Sequence, residues 1–288
     1  MRKDVLPLFK PSIGNEEIEE VVSTLKSGWL TTGPKTKKFE DDFSAYVGAK
    51  YSIGVINCTT GLFMSLIASK IPPGSEVITT PLTFCATANV IEHANLKTVF
   101  ADVDKRTGCI NPEDIKKKVS GKTKAIIPVH FGGQPCDMDA INEIAEEHNL
   151  VVIEDAAHAL GASYKNKKIG TISRFNCFSF YANKNVTTGQ GGMITVNNEE
   201  DARLLRMMRM YGLQEGAEGR YNEKKINHYL VQFPGYNFRI FDLLSAIGIH
   251  QLKKLDKLNA KRKKVMNMYN EAFSNMDHIE IFKVKDYT

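Results

Sequence analysis

Four short stretches of this chain carry residue types that could act together on one small molecule. The apolar run LVVIED ends on Asp155 and is followed by AAHALGA. A carboxylate delivered after buried aliphatics needs a cation or hydrogen-bond donors, because burying it unpaired is very costly; it either serves a ligand or caps a neighbouring loop. The run FNCFSFY leads into ANKNVTTGQGG, with Lys184 between apolar residues and a glycine-rich turn. An ammonium prefers water, so Lys184 is either a Schiff-base amine, its pKa lowered by desolvation and neighbouring positive charge, or an ordinary loop lysine. After YSIGVI comes NCTTGLFMSL, where Thr59, Thr60 and the amides of a helix start can take an anion or simply cap the helix. After EVITT comes PLTFCATANVI, which places Phe84 either against a flat ring or in the core.

The elements that must position these groups are short β-branched runs alternating with helical stretches, the pattern of an α/β layered domain. Candidate strands begin at residues 51, 76, 97, 124, 150, 175 and 192, with helices between them starting near Thr60, Phe84, Asn111, Asp137 and Glu199. Runs that are apolar throughout, such as Val151 to Ile153, imply a sheet covered on both faces and hence a three-layer sandwich. Ligands of such sheets bind beyond the carboxyl ends of the strands, and all four stretches fall on that edge. Together they describe a ring, a phosphate and an aldehyde carbon, which is pyridoxal phosphate (PLP).

Two helices precede the sheet. In NEEIEEVVSTLKSG, Ile18, Val21, Val22 and Leu25 form one apolar face and Gly28 supplies the stop; in KTKKFEDDFSAYVG, Phe39 and Phe43 form another. After residue 240 the pattern becomes one long amphipathic helix, LLSAIGIHQLKKLDKLNAKRKKVMNMYNEAF, followed by HIEIFKV, which reads as a strand without a partner. The expected organisation is a large cofactor-binding domain over residues 1–245. The long helix and the start of an incomplete, apparently truncated small domain take residues 246–288.

With 42% hydrophobic and 25% charged residues, the 288-residue chain has the composition of an ordinary globular protein. No apolar run reaches the ~18 residues that span a bilayer, and the opening MRKDVLPLFK lacks the core of a signal peptide, so a cytoplasmic location with no membrane partner is expected. The net charge of +5 is spread along the chain, which argues against nucleic acid. The basic run at 253–264 reads as a solvated helix face, since Leu252, Leu255 and Leu258 recur beneath it at helical spacing. Five cysteines without a C-x-x-C fit reduced thiols, and no metal site is expected.

The strings SGWLTTGP, NCTTGLFMSL, TFCATANVI, VHFGGQPCDMDAI, VIEDAAHALGA, FSFYANKNVTTGQGGM and GYNFRIFDLLSAIGIHQLKKLD closely resemble, in order and spacing, the DegT/DnrJ family of nucleotide-sugar aminotransferases, from residue 8 to about 265. The resemblance implies the aspartate aminotransferase fold (PLP fold type I) and a homodimer with shared sites. The implied reaction moves an amino group, most plausibly from glutamate, onto a keto carbon of a nucleotide-linked sugar, in amino-sugar or surface-polysaccharide biosynthesis. It further implies that Lys184 forms the imine with the cofactor and shuttles the proton. Asp155 pairs with the pyridine nitrogen, His158 sits by the ring hydroxyl, Thr59, Thr60 and Ser179 hold the phosphate, and Phe84 covers the ring. Asn237 in GYNFR resembles the residue that reaches the phosphate of the neighbouring subunit.

Three positions depart from the family pattern. Cys58 stands where Gly is usual, Gln190 replaces a common Glu, and His158 stands where Gln is also frequent. A sugar dehydratase on the same fold would replace the imine-forming lysine with His, and Lys184 argues against it. A non-catalytic regulatory relative is a further alternative. A nicotinamide enzyme is disfavoured because no G-x-G-x-x-G follows a strand.

Overall fold

The computed structural model describes residues 7–214 and 230–288. The seven expected runs are the seven strands of one sheet: β1 (Tyr51–Val55), β2 (Glu76–Thr79), β3 (Lys97–Phe100), β4 (Thr123–Ile126), β5 (Val151–Asp155), β8 (Phe175–Ser179) and β9 (Gly192–Val196). The short hairpin β6 (Ser163–Tyr164) and β7 (Lys167–Lys168) lies between them. Its two-residue turn puts Lys165 and Asn166 at φ 46° and 65°, and with no glycine there the sequence signals no hairpin. The sheet order is β1-β9-β8-β5-β4-β2-β3. Only β9 runs against its neighbours β1 and β8; the pairs from β8 to β3 are parallel. The carboxyl ends of β1, β2, β4, β5 and β8 therefore share one edge, where β9 starts.

Helices cover both faces, as the apolar strands require. On one face α3 (Cys58–Ala68), α4 (Ala86–His93) and α7 (Glu199–Met208) bury Leu62, Ile91 and Leu205 against Ile153 and Cys177. On the other, α2 (Pro34–Val47), α5 (Pro112–Lys118), α6 (Met138–Glu147) and α8 (Asp242–Phe273) bury Phe39, Ile115, Ile141 and Leu252 against Val152 and Phe178. Strand alternation carries this division to the edge. Phe178 and Phe180 pack against Phe43 and Phe39 with ring centroids 5.1 Å apart in each pair, which leaves Ser179 facing the opposite side. The basic run on α8 is largely solvated, with Leu252 and Leu255 buried beneath it.

Two expectations are corrected. Helix α1 (Asn15–Ser27) ends at Gly28 with φ 74°, but Ile18, Val22 and Leu25 stay 54%, 41% and 52% exposed. The buried side is polar: Glu17 accepts from Gly14 N, Gln251 Nε2 and Lys254 Nζ, so α1 docks on α8 through charge and hydrogen bonds. Its apolar stripe points away from the described body. The run HIEIFKV is not a strand. Instead of a ladder it finds aromatic sockets: Phe282 lies edge-on to Phe131 at 6.0 Å and Tyr287 against Tyr164 at 4.9 Å, while Lys283 N donates to Arg106 O.

Candidate active site

At the shared strand edge lies a cleft of about 360 Å³ that brings Thr59, Phe84, Asp155, His158, Ser179 and Lys184 together. Asp155 is the last residue of β5 and is 6% exposed. Each of its oxygens has a donor: Thr87 Oγ1 at 2.8 Å on Oδ2 and Ala157 N at 3.1 Å on Oδ1. A carboxylate held this way is fixed in orientation and keeps lone pairs free toward the cleft.

Lys184 follows the end of β8 in a turn closed by its own amide, which donates to Tyr181 O at 2.9 Å. Its side chain is half-buried, and burial lowers its pKa below the ordinary lysine value, with Asp155 and then Cys58 pulling the other way. The positive neighbour expected to help is therefore replaced by a negative one, and desolvation does the lowering. His158 lies at the cleft mouth. Desolvation, then the Lys184 charge, lowers its pKa, and Asp155 opposes both.

The start of α3 forms another wall. Asn57 caps the helix by accepting from Thr60 N at 2.8 Å, and Thr59 opens on the cleft. A Cβ at Gly192 would come within 2.6 Å of Cys58 N, so the start of β9 can run beneath this helix terminus only as glycine. Thr60 lies outside the lining, its hydroxyl donating to Asn57 O at 2.8 Å. Asn237 also lies outside it, exposed and accepting from Arg239 Nε at 3.0 Å. Phe84 is 77% exposed and stands free at the cleft wall, so it does not fill the core.

Sequence reasoning missed several lining residues. Asn57 was detectable as the polar residue before a helix start. Thr83, Phe131, Tyr181 and Asn183 carry no such pattern. Nor does Thr87, which is fully buried in the first turn of α4 and serves the cleft through Asp155. His130 also belongs to the lining; its Nδ1 accepts from Cys136 N at 3.1 Å, which leaves Nε2 to donate to Glu154 at 2.7 Å.

A family model for DegT/DnrJ/EryC1/StrS aminotransferases matches residues 11–287. The chain belongs to this family. Among relatives it is 50% identical over 277 residues to an uncharacterized protein of Methanocaldococcus jannaschii, covering 96% of this chain and 72% of that one. It is 48% identical over 275 residues to the spore coat polysaccharide biosynthesis protein SpsC of Bacillus subtilis, covering 96% and 71%. A candidate sugar aminotransferase of Streptococcus pneumoniae in its PMP form superposes with a TM-score of 0.89 at 31% identity, over 94% of this chain and 73% of that one. That protein has also been solved in a PLP form.

The family and these structural neighbours are PLP-dependent sugar aminotransferases. The cleft of this chain fits such a group. It offers one primary amine shifted toward its neutral form, one buried carboxylate with both oxygens oriented, a helix N-terminus approached closely by Gly192, and an aromatic ring without core neighbours.

Proposed function

We propose that this chain transfers an amino group from an amino acid, with glutamate the leading donor, to a keto carbon of a nucleotide-linked sugar. The observation that carries this reading is the convergence of Lys184, Asp155 and the α3 N-terminus on one cleft. When bound there, PLP supplies an aldehyde carbon for amines and a ring that spreads carbanion charge.

In this reading Lys184 would be the amine that holds the group through its aldehyde carbon, with water as the leaving group. Its amine would also serve as the general base and acid that moves the donor's proton. Burial favours the neutral form it needs. Asp155 holds a proton on the ring nitrogen, its position fixed by Thr87 and Ala157. His158 donates to the ring hydroxyl. Thr59, Ser179 and the free amides at the start of α3 would take the phosphate, where the helix dipole favours an anion, whereas Thr60 could join them only by giving up its bonds to Asn57. Phe84 would cover the ring from the cleft wall.

Asn237 reaches the site of a second copy in a homodimer, consistent with its exposed position outside its own cleft. In this reading residues 1–245 would form the cofactor domain and residues 246–288 a smaller unit, one whose helix packs Leu252 and Leu255 into the core of the first. No helix among the described residues is long and apolar enough to cross a membrane, which is compatible with work in the cytoplasm on a soluble nucleotide sugar. A dehydratase reading is disfavoured because it would need His where this chain has Lys184.

The test is an absorbance spectrum of the protein with added PLP, borohydride reduction, and mass mapping of the fixed adduct. Glutamate and then candidate keto-sugars follow. An adduct on Lys184, with loss of the band on glutamate and its return with one keto-sugar, is the expected result. An adduct elsewhere, or no response to any amino acid, overturns the assignment.

A further inference from the structure

The two loops that carry Lys184 and His158 are held together from outside the cleft by a residue of the long helix. Asn259 lies on α8, one turn beyond the buried Leu255. Its Nδ2 donates to Leu160 O at 3.2 Å, two residues after His158. Its Oδ1 accepts from Asn185 Nδ2 at 3.1 Å, the residue next to Lys184. Asn185 Nδ2 also donates to Leu160 O at 3.2 Å, which closes a three-cornered polar lock. Arg262, one turn further along the same face, donates to Asn259 Oδ1 at 3.1 Å and to Asn185 O at 3.4 Å.

The local backbone is shaped for this lock. Gly161 has φ +90°, and a Cβ there would meet Asn259 Nδ2 at 2.5 Å, so the His158 loop approaches α8 as closely as it does only through glycine. Neighbouring Tyr46 fixes the helix register, its hydroxyl donating to Asp256 Oδ1 at 2.6 Å. Asn259 thus uses both ends of its amide on two different loops, a geometry neither an apolar residue nor a carboxylate reproduces. Neither loop has extended secondary structure of its own, so contacts such as these decide how tightly its functional side chain is placed.

We propose that Asn259 is a positioning residue for the reaction: through Asn185 and Leu160 it fixes the Lys184 and His158 loops relative to each other. The inference rests on the aminotransferase reading for what those two side chains do. The lock itself is a property of the cofactor-free chain. A misplacement of about 1 Å at reacting groups can cost up to about a hundredfold in rate, so loss of the lock is expected to slow the half-reaction with glutamate about tenfold at saturating cofactor.

The experiment measures amide hydrogen exchange on the cofactor-free protein, in peptides covering 157–163 and 182–188, for the parent, Asn259→Ala and Asn259→Asp. Single-turnover rates with PLP and glutamate are measured on the same samples. Asn259→Ala should speed exchange in both segments while leaving α4 unchanged, and should lower the rate constant more than the apparent affinity for glutamate. Asn259→Asp keeps the acceptor for Asn185 and Arg262 but loses the donor to Leu160 O, so it should loosen 157–163 more than 182–188. Unchanged exchange in both segments, or faster exchange with an unchanged half-reaction, overturns the proposal. If the parent itself forms no adduct on Lys184, the functional reading fails, and the exchange data alone still decide whether Asn259 pins the loops.

Discussion

Thr87 Oγ1 lies 2.8 Å from Asp155 Oδ2, and the same hydroxyl is 2.7 Å from Thr83 Oγ1, which lines the cleft. With Thr87 donating to the carboxylate, its oxygen accepts from Thr83, so a chain of hydroxyls runs from the cleft wall to the buried acid. A hydrogen bond to a charged group contributes about 1.5–3 kcal/mol. Thr87→Val should therefore weaken cofactor binding and lower turnover by about tenfold to a hundredfold, while Thr87→Ser restores most of both. A titration of bound cofactor with absorbance detection checks this, because a lost donor shifts the protonation of the ring and a packing defect does not. Equal behaviour of the Val and Ser variants would remove Thr87 from the mechanism.

His158 and Lys184 are electrostatically linked, since the lysine charge adds to desolvation in lowering the histidine pKa. Lys184→Met removes the cation and leaves Asp155, whose effect on His158 is upward. The His158 pKa should rise in this variant, as measured by NMR of labelled histidine in the cofactor-free protein. A fall, or no movement, would mean that the two side chains do not share the cleft.

The same substitution bears on stability. Because burial lowers the Lys184 pKa in the folded chain, the unfolded chain binds more protons between the folded and unfolded values, and stability rises with pH through that window. Below the folded value the destabilisation by the buried charge is complete. Lys184→Met should thus raise the melting temperature of the cofactor-free protein at neutral pH, with the advantage fading as the pH passes the lowered lysine pKa. Melting curves over a pH series, without PLP, read this directly.

The sheet was legible because its strands are apolar on both faces and separated by recognisable helix starts. The alternation that buries Phe178 and Phe180 also points Ser179 to the cleft. The α1 face misled because Ile18, Val22 and Leu25 have a core-like spacing while the partner helix offers Gln251 and Lys254. The tail misled because HIEIFKV alternates like a strand, yet its Phe282 is taken by Phe131. In the site, Thr59, Phe84, Asp155 and Lys184 were legible from their placement next to apolar runs, and His158 and Ser179 from the family resemblance alone, whereas Thr83, Phe131, Tyr181 and Asn183 were not. Residues that act through another side chain, such as Thr87 and Asn259, are ordinary polar residues in sequence; only distances reveal them.

Asp242 is a structural counterpart to the site carboxylate. Fully buried, it accepts from Gly33 N, Lys35 N, Thr36 N and Thr36 Oγ1 at 2.7–3.0 Å, tying the start of α2 to the start of α8. Asp242→Ala strands several buried donors and should cost about 3 kcal/mol or more. Chemical denaturation should show this as a lower midpoint with an unchanged slope. A loss under about 0.5 kcal/mol would show that water replaces the carboxylate without penalty.

Asn237 provides the test of shared sites. Its side chain is exposed, bonded only locally to Arg239 among the described contacts, and outside the cleft of its own chain. If it serves a partner's phosphate, Lys184→Ala and Asn237→Ala are each inactive as homodimers, yet a mixed dimer contains one site with both groups intact and one with neither. Random exchange makes half of the dimers mixed, and one of two sites works in each, so about a quarter of the parental activity should return on mixing. The measurement needs a tag-based check that subunits have exchanged. Full exchange with no recovery would place Asn237 in its own subunit's site or assign it a purely structural part, and recovery well above a quarter would show that one of the single variants was never inactive.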